Sequence, residues 1–181
     1  MGVDSSGDFS IVGVVVGGLE KLRFLHGMLG RGRVHMRELN KAERRRVSGV
    51  LLSLLRDGFG GVEAICFYTG FSVVRGVLRR EKPYVPSIKV EEALMKALTL
   101  IILEEALKRG VKEVRVDREL YTAYLRARFV RVERSFVVEL ADVVSWSNLR
   151  RRRDLEVRFK GAVREVDVKD RVLNLAKSFI K

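Results

Sequence analysis

Met1-Gly2-Val3-Asp4-Ser5-Ser6-Gly7-Asp8-Phe9-Ser10-Ile11-Val12-Gly13-Val14-Val15-Val16-Gly17-Gly18 opens the chain and decides its fold. Met1 to Ser6 and Phe9 to Gly18 read as two strands joined by a Ser-Gly-Asp turn, hence a hairpin. Asp4 stands in it immediately before the apolar run Phe9 to Val16. Two later stretches present a carboxylate in a comparable way. Asp117 ends the alternating run Val114-Arg115-Val116-Asp117, and Asp142 is enclosed by aliphatic residues in Leu140-Ala141-Asp142-Val143-Val144. Carboxylates at two strand ends and on a late helix can converge. Without a cation such convergence is costly, because like charges at close range oppose joint ionisation. A divalent metal resolves that cost, and metal beside a basic surface points to phosphodiester chemistry on nucleic acid.

The rest of the chain fits one α/β domain spanning residues 1–181. Leu19, Leu22, Leu25, Met28 and Leu29 have helical spacing, and Gly30-Arg31-Gly32 ends that helix. Val34 to Leu39 is a short irregular piece carrying His35 and Glu38. Asn40 caps a helix reaching Arg56, with Glu43 as the capping-box partner, and Asp57-Gly58 closes it. Val62 to Tyr68 is a third strand. Thr69 to Ser87 holds both prolines, with a short strand expected at Val73 to Leu78. Ile88 to Arg109 is a long, largely buried helix ended by Gly110. Strands follow at Val111 to Val116 and Phe129 to Val138, with a helix from Leu120 to Ala127 between them. Leu140 to Arg152 is a helix, Leu155 to Val166 a strand or hairpin, and Val168 to Ile180 a terminal helix. Alternating strands and helices imply a mixed sheet flanked by helices.

Composition narrows the partners. Of 181 residues, 47% are hydrophobic and 33% charged, which excludes a disordered chain. No apolar run approaches the roughly 18 residues that cross a bilayer. Ile11 to Leu19 lacks the basic flank of a signal peptide, so a cytoplasmic protein without membrane partners is expected. Cys66 is the single cysteine, in the apolar run Ala64-Ile65-Cys66-Phe67-Tyr68. It reads as a small buried hydrophobe, and both a disulfide within the chain and a cysteine zinc site are excluded. Abundant charge, absent glutamine and scarce asparagine resemble the bias of thermophile proteins. The formal charge of +13 favours polyanions, nucleic acid first. The basic residues are grouped: Arg44-Arg45-Arg46 in one helix, Arg79-Arg80 in a connecting segment, and Arg150-Arg151-Arg152-Arg153 after the Asp142 segment.

Each candidate also has a local reading. Asp4 can begin a turn, and Asp117 or Asp142 can N-cap a helix. Asp142 stands out because its neighbours form a face that should bury, where a charge needs a partner. On the helical wheel of Val90 to Arg109, Glu91 and Glu105 fall in the apolar sector of Val90, Leu94, Leu98 and Ile101. Glu91 ranks first as a fourth, accessory carboxylate, although in a first helical turn it also simply complements the dipole. His26, beside Leu25 and Met28, reads as structural. His35, in a polar segment, can position a water or contact a phosphate. Trp146 and Tyr121 are candidates for stacking on bases, with Trp146 more often a core residue in such a setting.

Taken jointly, the pattern resembles the ribonuclease-H-like superfamily, whose core runs hairpin, third strand, helix, fourth strand, helix, fifth strand, helix. Within it the chain is most similar to a widespread, uncharacterised family marked by an N-terminal Asp-Glu-Ser-Gly-Asp motif, here Asp4-Ser5-Ser6-Gly7-Asp8. Further matches are His35 with Glu38 in His-Met-Arg-Glu-Leu, Val116-Asp117-Arg118, and the Asp142 segment with basic residues after it. The likeness covers most of the chain up to Arg153. Ser5 departs from it, standing where the family usually has glutamate. The resemblance implies an active site of Asp4, Asp117 and Asp142 holding Mg²⁺ or Mn²⁺, with Asp4 bridging two ions. The expected activity is metal-dependent cleavage of RNA or DNA, with Arg44, Arg45 and Arg150 to Arg153 on the backbone. The alternatives are a non-catalytic nucleic-acid-binding protein of the same fold, which Ser5 favours, and a structural subunit of a ribonucleoprotein.

Overall fold

Valines on both sides of a strand need a core on both sides, and the opening hairpin has that arrangement. In the computed structural model, which describes residues 1–6, 9–30, 32–118, 120, 129–133, 135–147 and 159–180, β1 (Gly2–Ser6) pairs antiparallel with β2 (Ile11–Val16). Val3, Val12 and Val14 face one core, while Ile11 and Val15 face the other. A strand buried on both faces reads as a continuous apolar run, which is why Ile11 to Val16 shows no polar alternation.

β3 (Glu63–Tyr68) lies antiparallel to β2, β4 (Val114–Val116) parallel to β1, β5 (Val130–Val132) parallel to β4, and β6 (Arg164–Asp167) parallel to β3. These described strands make one mixed sheet ordered β5-β4-β1-β2-β3-β6. The described α-helices are α1 (Leu19–Met28), α2 (Lys41–Arg56), α3 (Phe71–Glu81), α4 (Ser87–Lys108), α5 (Phe136–Ser147) and α6 (Lys169–Phe179). Buried residues of α1, α2 and α5 share one core, and those of α3, α4 and α6 share the other. The chain is therefore α/β, with helices on both faces of the sheet. None of the described helices is long and apolar enough to cross a membrane.

Several local expectations hold. Asn40 caps α2 through a reciprocal box: the Glu43 N–H donates to Asn40 Oδ1, and the Asn40 N–H donates to Glu43 Oε2, each at 3.0 Å. Such a cap contributes about 1 kcal/mol. Cys66 is buried in β3. α4 is buried along Val90, Leu94, Leu98 and Ile101, though Ile88, Leu100 and Leu107 stay exposed.

Others are corrected. Val73 to Leu78 is no strand but lies within α3: Phe71, Val74 and Leu78 recur at helical spacing and bury, while Val73 faces solvent. Arg79 and Arg80 accordingly form the last turn of α3 and not a connecting segment. The strand expected over Phe129 to Val138 ends at Val132, and α5 begins at Phe136, because Val137, Leu140, Ala141 and Val144 form one helical stripe. β4 is shorter than the run Val111 to Val116. The expected helix across 121–127 lies outside the described residues, as do 155–158 of the strand or hairpin expected over Leu155 to Val166; residues 159–163 turn instead of extending, with Gly161 at φ 86°, and only Arg164–Asp167 form the strand β6.

α5 is the element that positions the site, and it sits unusually close to the sheet. A Cβ at Gly2 would overlap the Val137 carbonyl oxygen, and one at Gly13 the Ala141 carbonyl oxygen. Asp4 is the cross-strand partner of Gly13. The helix thus rests on bare backbone beside Asp4.

Candidate functional site

Strand alternation sends Asp4 and Asp117 to the same side. Val3 and Val116 are register partners on parallel β1 and β4, and both belong to the core under α4. Their following residues therefore point the opposite way, toward α5. The Asp117 N–H donates to the Val3 carbonyl at 3.3 Å, which keeps the two strand ends level. α5 crosses above and adds Asp142. Asp4, Asp117 and Asp142 line one cleft with Arg33, Val34, His35, Val138 and Glu139. Its space of about 30 Å³ admits an ion or a water or two and no larger group.

Residues 33–36 are strapped to α5 by two carboxylates one turn apart. Asp142 Oδ2 accepts the Met36 N–H at 2.8 Å and lies 3.0 Å from His35 Nδ1. Three residues earlier, Glu139 Oε2 accepts the Val34 N–H at 2.8 Å and lies 2.7 Å from His26 Nε2. The pattern follows from geometry. His35 is extended (φ −131°, ψ 111°), so the amides on either side of it face the same way. Glu139 and Asp142, at i and i+3, share one helical face to meet them. Val34 and Met36 then bury their side chains in the core beneath.

Charge at the site is unevenly settled. Burial, then the Asp142 carboxylate, push the Asp4 carboxyl up to about 8; Asp117 adds to the rise, and a hydrogen bond from the Ser5 backbone only partly opposes it. Asp4 and Asp142 face the same cleft as like charges, a repulsion that a cation between them would relieve. Glu139 goes the other way. Burial raises its pKa, but the His26 hydrogen bond, the Val34 N–H and the charges of His26 and Arg33 together hold it below the usual carboxylate range.

The donor chemistry suits a hard divalent cation: oxygen ligands and crowded negative charge. As placed, no group of three or more His, Cys, Asp or Glu among the described residues forms a ready-made metal cage. The aspartates converge on a cleft without already standing at ligand spacing.

The other sequence candidates fall elsewhere. Glu91 is on α4, across the sheet, where Arg75 grips both its oxygens at 2.6 and 2.9 Å and Arg79 lies at 3.8 Å. It is corrected from accessory ligand to ion-pair partner, because a helical wheel shows a face without saying which side of the sheet it meets. Glu105, also on α4, is buried against Arg109. His26 is structural in the sense expected, buried and paired with Glu139. Arg44 donates to the Arg37 carbonyl at 3.0 Å and lies 6.0 Å from the Trp146 ring centre, so it packs α2 onto α5. Arg45 is exposed on α2. Arg150, Arg151, Arg152, Arg153 and Tyr121 lie outside the described residues. Trp146 packs partly buried against the core. Glu139 and Arg33 were not singled out by the sequence. The signal for Glu139 was its spacing from Asp142, hidden while Phe129 to Val138 was read as a strand.

Comparison with protein-family models, with curated proteins and with solved structures finds no match to this chain.

Proposed function

We propose that this protein is a divalent-metal-dependent nuclease of ribonuclease-H-like architecture, acting on RNA or DNA in the cytoplasm. The observation that carries the reading is the convergence of Asp4, Asp117 and Asp142, from β1, the end of β4 and α5, on one ion-sized cleft. Support for the architecture comes from the chain order of hairpin, third strand, helices, fourth strand, fifth strand and helix, with β4 beside β1. The net charge of +13 supports a polyanionic substrate.

In this reading Asp4, Asp117 and Asp142 would hold Mg²⁺ or Mn²⁺. When bound, the metal supplies Lewis-acid polarisation of a phosphoryl oxygen and lowers the pKa of a water. The chain's own residues do the rest. The Met36 amide and His35 fix one oxygen of Asp142 and leave its other oxygen for the cleft. A cation held there would favour the charged form of Asp4, which burial and the Asp142 charge otherwise oppose. His35, half-exposed at the cleft, stands where it can hand a proton to or from a phosphate oxygen or a water.

A second reading, nucleic-acid binding without cleavage, is favoured by Ser5 at the motif's glutamate position and by the absence of a ready-made cage among the described residues. Thermal unfolding with manganese and with chelator separates the two. Manganese raising the midpoint of the wild type but not of Asp4→Asn supports the metal site. No change at millimolar manganese leaves the binding module.

A further inference from the structure

The cleft that holds the aspartates has room for an ion or a water or two, so a substrate needs a second surface beside it. One exists. A groove of about 600 Å³ shares Arg33 and Glu139 with the aspartate cleft and is also lined by Arg23, His26 and Phe136. That volume is within the range of about 300–1,000 Å³ that suits ligands of nucleotide size. Because the two spaces share Arg33 and Glu139, the groove adjoins the aspartate cleft.

The groove's charge fits an anion. Arg23 and Arg33 are both exposed, and a guanidinium matches the two oxygens of a phosphate with parallel N–H donors. Among the described residues, neither side chain takes part in a hydrogen bond or ion pair. Arg23 instead lies over the Phe136 ring, 5.5 Å from its centre. A cation–π contact of this kind steadies a guanidinium while leaving its in-plane N–H donors for a bidentate oxyanion. Among the described residues the groove's one carboxylate is Glu139, engaged by His26 and the Val34 amide and also acted on by the Arg33 charge. The arginines therefore face no unsatisfied acid within the groove.

We propose that this groove, between α1 and α5, binds the backbone phosphate adjoining the one at the aspartates, with Arg23 and Arg33 as its two donors. The proposal rests on the nuclease reading of the cleft and adds the path of the strand. That path runs past α1, whereas Arg44 on α2 donates its Nη2 to the Arg37 carbonyl and lies against Trp146.

The test is fluorescence anisotropy of the full chain with labelled single-stranded and duplex DNA and RNA, in chelator, across a salt series. The proteins are the wild type, Arg23→Gln/Arg33→Gln, Arg23→Lys/Arg33→Lys, and Arg164→Gln on the distant edge strand β6. Two lost phosphate contacts should lower the slope of log affinity against log salt by about 1.4 on a single strand, with affinity falling at least tenfold at low salt. The lysine variant should keep the slope, and Arg164→Gln should match the wild type. A glutamine variant that binds like the wild type overturns the proposal, as does a wild type that binds none of the probes. Manganese-dependent stabilisation, read on the same proteins, reports separately on the aspartates. If it is present while the glutamine variant binds normally, the groove fails and the metal reading stands. If it is absent while the glutamine variant loses affinity, the metal reading fails and the groove stands.

Discussion

Replacing Asp4 by asparagine should make the metal-free protein more stable while abolishing its response to manganese. Asp4 is pushed from 3.8 to about 8 by burial and by the neighbouring Asp142 charge. A carboxyl with a raised folded-state pKa binds a proton that the unfolded chain releases. The penalty is therefore absent below about pH 4, grows as pH climbs toward 8, and is complete above it. At pH 7 linkage sets an upper bound of about 4 kcal/mol. Solvent reaching the cleft and relaxation of the three carboxylates reduce this to about 1–2 kcal/mol. The asparagine of the Asp4→Asn variant keeps the shape and carries no charge. In a chain of this length the gain corresponds to about 2–8 °C in the unfolding midpoint. The assay is a melting series in chelator at pH 5 and pH 8.5. The midpoint difference between variant and wild type should be small at the lower pH and larger at the higher one. With manganese at a hundred times its Kd the wild type alone should gain about 2.7 kcal/mol. An Asp4→Asn protein that is equally destabilised at both pH values, or that still responds to manganese, refutes the reasoning.

The remaining predictions concern the elements around the cleft. Gly13→Ala should cost about 1–3 kcal/mol in chemical denaturation, because its methyl would overlap the Ala141 carbonyl and lift α5. Asp142→Asn should remove manganese stabilisation while leaving nucleic-acid affinity in chelator within about threefold, since phosphate contacts by arginine set that affinity. Glu139→Ala should destabilise by about 2–4 kcal/mol, as it orphans the Val34 amide and His26. The Glu139 contribution is fully present above the ordinary carboxylate range and is lost as pH falls through its lowered folded-state value. The wild type and Glu139→Ala should therefore converge in stability in acid. Asn40→Ala should cost about 1 kcal/mol through the lost α2 cap, with no effect on manganese binding.

The three aspartates were legible because each stands where local pattern changes: before a turn, at the end of an alternating run, and inside an aliphatic helix. Two periodicities, of the strand and of the helix, were enough to send them to one side. The fourth carboxylate was not legible in the same way. Glu91 satisfied the helical wheel, yet α4 meets the sheet from the other side, and sidedness depends on how connections cross the sheet, which a wheel does not encode. Glu139 was obscured by Val137-Val138, whose β-branched side chains suit either element until the helical stripe reaching Val144 is counted as one. The same ambiguity hid α3, where Val73 and Val74 are adjacent but only Val74 turns to the core. The His35 contact depended on an irregular segment with no period to read. Its extended amides became meaningful only against two acids on a helix remote in sequence.

The bare contact between α5 and the hairpin has a consequence for evolution as well as for geometry. Side chains between a helix and a sheet usually act as adjustable shims: enlarge one, shrink another, and the gap drifts. Where Gly2 and Gly13 meet the helix carbonyls there is no shim to exchange. The distance from Asp4 to Asp142 is then fixed by peptide thickness, and repacking of the surrounding core leaves it untouched. A lineage could remodel the surface arginines and thereby its choice of partner, while the ion-sized gap stayed the same width.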